Sequence, residues 1–106
     1  MKKDIFPLNK VDSFFMALNP VKYRYKSEAN GKIHYGLIAQ EVERALGDGG
    51  LYIEDFAGLN KITDKNNIGE YNYSLNYDEF IPILIKIVQN LKKEIEDIKK
   101  NYSRST

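Results

Sequence analysis

The chain has no cysteine and a single histidine. Without thiols there is no disulfide frame, no thiolate nucleophile and no Cys-based zinc site. One imidazole cannot build a multi-histidine cage, so neither a metal nor a cofactor is expected. Charge of one sign is missing as well: 16 Lys+Arg stand against 15 Asp+Glu, a net charge of +1. A dedicated nucleic-acid binder needs a surplus of cations on one face, so no nucleic-acid partner is expected. No apolar run approaches the ~20 residues that cross a bilayer, and the opening Met1-Lys2-Lys3-Asp4-Ile5-Phe6-Pro7 lacks the apolar stretch of a signal peptide. No membrane partner is expected either, and the absence of Cys fits a cytoplasmic protein. What remains is an ordinary folded composition, 42% hydrophobic and 29% charged over 106 residues. That length makes one domain and excludes a two-domain enzyme.

Along the chain, Val11, Phe14, Phe15 and Leu18 recur at spacings of three and four, which predicts a short helix from Asn9 to Leu18 that stops before Pro20. Val21, Tyr23 and Tyr25 alternate with Lys22, Arg24 and Lys26, as in a strand that turns its large side chains inward. Glu28-Ala29-Asn30-Gly31 supplies a turn, with Asn30-Gly31 suited to positive φ, and Ile33 to Ile38 forms the second strand of a hairpin. Val42, Ala45 and Leu46 then mark a helix over Ala39–Leu46, ended by Gly47-Asp48-Gly49-Gly50. Leu51–Phe56 reads as a further strand, Lys61–Ile68 as a polar loop, and Tyr71–Leu75 as a last strand.

Asn76 with Glu79 three residues later is a capping-box pattern, so a helix should begin near Tyr77. Pro82 either tilts its first turn or marks a fresh start after a short turn ending near Phe80. Ile81, Leu84, Val88, Leu91, Ile95, Ile98 and Tyr102 follow at alternating spacings of three and four. That is a heptad seam, with Ile81, Val88 and Ile95 at position a and Leu84, Leu91 and Ile98 at position d. Such a helix, roughly 37 Å long at 1.5 Å per residue, outreaches a compact domain of this size, whose radius of gyration is about 13 Å. The far part of the seam must therefore lie in water unless other copies cover it or the helix folds back along its own domain. Ile83, Ile85 and Ile87 make the first half apolar nearly all round, able to touch both its own domain and its partners. Glu94 at g and Lys99 at the following e suit parallel neighbours. β-branched a positions favour two strands and Ile98 at d does not, so the count stays open on these residues alone.

Three blocks in order carry a resemblance: Leu18-Asn19-Pro20-Val21-Lys22-Tyr23-Arg24-Tyr25-Lys26, Tyr35-Gly36-Leu37-Ile38-Ala39-Gln40-Glu41-Val42, and Tyr77-Asp78-Glu79-Phe80-Ile81-Pro82-Ile83-Leu84-Ile85-Lys86. Together they resemble the intramolecular chaperone auto-processing domain, the peptidase S74 family, found at the C-termini of phage tailspikes, tail fibres and neck appendages. The resemblance implies a homotrimer that holds an upstream fibre region of the same polypeptide together while it folds, and that then cuts itself off. It implies action in the host cytoplasm during virion assembly, with the domain missing from the mature particle. In this family the nucleophile is a Ser followed by Asp, five residues before a Lys that leads into a Lys-x-Asn-Ile-like stretch. Lys2-Lys3-Asp4-Ile5 matches the end of that motif. Lys2 thus takes the catalytic lysine's place, and the Ser falls before Met1, so the fragment itself is expected to be inert as a protease. Gly36, Ala39, Gln40 and Glu41 are expected to shape the surroundings of the cut, Gln40 and Glu41 first by binding freed backbone groups.

The expectation is therefore an α+β fold with a globular head over 1–80 and a helix and tail over 81–106: a small antiparallel sheet, short helices, and a long C-terminal helix forming a parallel, homotrimeric coiled coil. Ile81, Leu84, Val88, Leu91, Ile95 and Ile98 are the oligomerisation residues. The alternative is a permanent trimerisation tip that never cleaves, and a third reading is a monomeric partner-binding domain. His34 reads as a strand histidine with no triad spacing. Asp64–Gly69 fails as a calcium loop because Ile68 and Leu75 stand where oxygen ligands belong.

Overall fold

A computed structural model describes residues 1–28 and 30–104, the side chains of 103 and 104 excepted. Ala29 of the expected turn and the tail beyond 104 lie outside the described residues. The order is α1 (Asp12–Met16), β1 (Val21–Tyr23), β2 (His34–Gly36), α2 (Ala39–Asp48), a 3₁₀ turn (Ile53–Asp55), β3 (Leu59–Thr63), β4 (Tyr71–Leu75), a second 3₁₀ turn (Tyr77–Phe80) and α3 (Ile81–Arg104). The class is α+β, as expected.

The strands form two separate antiparallel pairs instead of one small sheet. β1 and β2 pair with Val21 opposite Gly36 and Tyr23 opposite His34. In the other hairpin Leu59 faces Leu75, Lys61 faces Tyr73 and Thr63 faces Tyr71. Two segments correct the sequence reading. Leu51–Phe56 is no strand, because Asp55 N–H turns back to Tyr52 C=O and Phe56 N–H to Ile53 C=O, which closes a 3₁₀ turn. Within Lys61–Ile68, expected to be a loop, residues 61–63 belong to β3. Its polar residues are exposed, and Leu59 alone of the strand is buried.

α2 continues two residues past Leu46 and ends at the glycines. Leu51 N–H reaches Leu46 C=O at 2.8 Å and Gly50 N–H reaches Gly47 C=O at 3.1 Å, with Gly50 at φ +71°. This pair of bonds is a Schellman closure, and the left-handed residue it needs is glycine. Asn30 takes the left-handed conformation expected of the first turn. At the entry to the last helix the Asn76 side chain accepts from Asp78 N–H. The 3₁₀ turn then hands over to α3, whose second residue is Pro82, where its missing N–H costs nothing.

Eight apolar side chains form the core: Val11, Phe14, Val42, Ala45, Leu46, Leu59, Ile83 and Ile87. Phe14 is fully buried and meets the ring of Phe56 edge-on at 5.5 Å, while Phe56 meets Phe80 at 5.3 Å. α3 therefore joins the head through Ile83 and Ile87, one stripe of its first half. From there it leaves. The molecule measures 65 × 41 × 28 Å with a radius of gyration of 18.4 Å, well above the value of about 13 Å for a compact chain of this length.

Candidate functional site

The three sequence blocks meet at one place. Leu37 N–H donates to the Tyr77 hydroxyl at 3.0 Å, which ties the second block to the third. Asn19 Nδ2 donates to Glu41 Oε1 at 3.3 Å, which ties the first block to the second. Gly36 makes the junction possible, because a Cβ there would run into the Tyr77 hydroxyl. Gln40 and Glu41 do not bind freed backbone at the start of α2, as the sequence reading expected. Ile38 C=O takes the N–H groups of Glu41 and Val42, no side chain caps the helix, and Glu41 is occupied by Asn19. The donor that captures it is 22 positions away and outside the reach of local capping rules.

Beside the junction runs an aromatic groove of about 390 Å³, lined by Tyr23, Tyr25, Gln40, Tyr73, Ser74 and Tyr77 with apolar neighbours that include Ala39. The hydroxyls of Tyr23 and Tyr25 lie 3.4 Å apart. Tyr23 is pushed up to about 12, first by its hydrogen bond with Tyr25 and then by burial and the nearby phenols. It therefore stays a neutral phenol at any physiological pH. His34 stacks on Tyr23 at 5.5 Å, and its Nε2 stands 3.5 Å from Glu28 Oε1. The described lining holds hydroxyls and an amide and no acid, imidazole or amine to activate them. It can bind by stacking and hydrogen bonding.

A polar clasp fixes the second hairpin to α2. Lys61 Nζ donates to Glu43 Oε2 at 2.7 Å and the Tyr73 hydroxyl donates to Glu43 Oε1 at 3.1 Å, with the ammonium 4.2 Å above the Tyr71 ring. The Lys61 hydrogen bond holds the Glu43 carboxyl below its usual range, and Glu43 raises Lys61 in return. No sequence rule pointed to this pair.

Lys2 is exposed, on a segment whose first ten residues are all exposed. The seam residues Ile81, Leu84, Val88, Leu91, Ile95 and Ile98 are 49–66% exposed. At its head end the seam borders a second groove of about 440 Å³, almost wholly apolar, formed by Phe15, Met16, Leu18, Pro20, Leu37, Tyr77 and Phe80 with Ile81 and Leu84. The sequence reading found the seam and missed this wall, because its lining comes from residues as far apart as Phe15 and Leu84. Among the described residues no helix is long and apolar enough to cross a membrane, and no cluster of His, Asp or Glu is suited to hold a metal.

Two comparisons bear on this arrangement. Residues 1–51 match the peptidase S74 family, chaperone of endosialidase. The peptidase S74 resemblance carried by the first two blocks is thereby borne out. Beyond residue 51, similarity is carried by the fold. A crystal structure of a novel intramolecular chaperone superposes with a TM-score of 0.69 at 19% identity, over 88% of this chain and 96% of that one. The two share the overall architecture. No curated protein matches the chain.

Proposed function

We propose that the chain is a C-terminal intramolecular chaperone. It gathers three copies of an upstream β-rich phage fibre or spike through α3 in the host cytoplasm, and a serine–lysine self-cleavage with Lys2 as general base then releases it. The observation that carries the reading is the seam. Six large apolar side chains stand about half in water along a helix whose buried residues, among those described, are Ile83 and Ile87. Full burial of such a side chain is worth ~1.5–3 kcal/mol, so covering the stripe with sister helices is strongly favourable. The S74 match and the chaperone fold agree with that use. Tying three chains at one end raises their effective concentration toward the millimolar range, which speeds the long-range pairing that makes β-rich fibres slow to fold.

Lysine must be neutral to act as a base, which requires burial or nearby cations. Lys2 is exposed in the single copy, so on this reading neighbouring copies supply the cover and cleavage waits for assembly. That same exposure favours a second reading, a permanent trimerisation tip that never cleaves. A β-rich fibre segment fused ahead of the chain through a Ser-Asp junction separates them. Under the first reading the fusion yields a self-cut product on a denaturing gel and Lys2→Ala yields none. Trimeric but uncut fusion supports the tip. Fibre assembly that survives Leu91→Glu with Ile95→Glu overturns both.

A further inference from the structure

The exposed face of α3 carries more information than its seam. With Ile81 at a and Leu84 at d, the g positions on α3 include Ile87 and Glu94, and the e positions are Ile85, Lys92 and Lys99. Phe80, the last residue of the 3₁₀ turn, stands one residue before Ile81 where the preceding g would fall. The head packs on the g side only: Ile87 is buried, and α1 lies alongside it, with Asn90 Nδ2 3.5 Å from Asp12 Oδ1. The e side stays open, and Ile85 is 52% exposed there although a two-stripe seam has no need of it.

We propose that each head, through α1, forms the second wall of the subunit interface and receives the e-position side chains of a parallel neighbour. This inference rests on the oligomer proposed above and adds its orientation, register and contacts. In a parallel coiled coil a g residue meets the e residue five positions further along the neighbouring helix. Phe80 then faces the partner's Ile85, Ile87 the partner's Lys92, and Glu94 the partner's Lys99. The lining matches at each step. Phe80 is part of the apolar groove of about 440 Å³, a seat for an isoleucine. Beside Ile87 the helix itself offers no acid, and α1 supplies one: Asp12 and Glu94 line a hollow of about 250 Å³ between α1 and α3, with Met16, Asn90 and Leu91. Asp12 thus takes the place of the missing g-position acid for Lys92, and Glu94 serves Lys99. Antiparallel packing sets e against e, brings lysines together and leaves the groove without its isoleucine.

Met16→Cys combined with Ile85→Cys tests the geometry, since the chain has no other thiol. Mild oxidation is expected to give covalent multimers on a non-reducing denaturing gel, while either single variant stays at monomer mass. Multimeric mass in solution without 16–85 linkage overturns this inference and leaves the oligomer standing; monomeric mass without linkage overturns both. A charge cycle provides the second arm. Lys92→Glu should weaken association about two- to fivefold for each symmetry-related pair, a range set by exposed ion pairs, and Asp12→Lys added to it should restore most of the loss. Failure of Asp12→Lys to restore overturns the Asp12 assignment.

Discussion

The head and the distal half of α3 handle the same kind of side chain in opposite ways. In the head, Phe14, Val42 and Leu46 vanish from water because helices, a turn and a hairpin close over them. Beyond Val88, equally apolar residues stand in water at regular intervals, on a helix whose other faces are charged. Burial in the head is a matter of one chain folding, whereas the distal stripe, on the reading proposed above, is covered by other copies of the chain. The head should thus unfold with a concentration-independent contribution, while the helix responds to concentration.

The largest effect that tests this contrast comes from the stripe. Leu91→Glu with Ile95→Glu should lower association by at least about a hundredfold, because two carboxylates per chain would enter an apolar seam. The near-ultraviolet signal of the head tyrosines should remain, and its loss would merge the two regions into one. Next in size is Phe14→Ala, which should cost ~3–5 kcal/mol of head stability in urea unfolding, as large core truncations do. A cost under about 1 kcal/mol would place the core elsewhere.

Gly36→Ala should cost ~1–3 kcal/mol by forcing the Tyr77 ring aside. Tyr77→Phe alone should cost about 1 kcal/mol, the worth of the bond from Leu37 N–H. Combined, the two should cost less than their sum, since Phe lacks the atom that a Cβ at 36 meets; strict additivity in a double-mutant cycle would separate the sites.

The smallest effect concerns pH. Because the Glu43 carboxyl lies below its ordinary value in the folded state, its contribution is present above the unfolded value of 4.5 and is lost as pH falls through the lowered one. Lys61, raised above 10.5, contributes at lower pH and loses that contribution as pH rises through its raised value. Glu43→Gln should therefore flatten the acid side of the melting profile, and an unchanged slope below pH 5 would remove the clasp from the stability of the hairpin.

Local signals made much of this fold readable. The Asn76 cap, the glycine closure after α2 and the heptad of α3 depend on neighbours within a few residues, and sequence periodicity carries such information directly. Leu51–Phe56 misled because a six-residue stretch carrying Leu51, Tyr52, Ile53 and Phe56 is too short to separate a strand from a 3₁₀ turn beside the core. β3 was missed for the opposite reason: Asn60, Lys61 and Thr63 look like loop residues, and what holds Lys61 is Glu43 on another element. At the candidate junction the blocks were visible, but the bond joining them links residues 40 positions apart. No pattern along the chain records that Gly36 is small to make room for Tyr77.

The central claim is that the stripe on α3 is an unfinished interface between copies of this chain. Sedimentation equilibrium at tens of micromolar tests it most directly. The account predicts three times the 12.3 kDa of a single chain, falling to the single-chain mass when Leu91 and Ile95 become glutamates. A single-chain mass for the unaltered protein under the same conditions would contradict it.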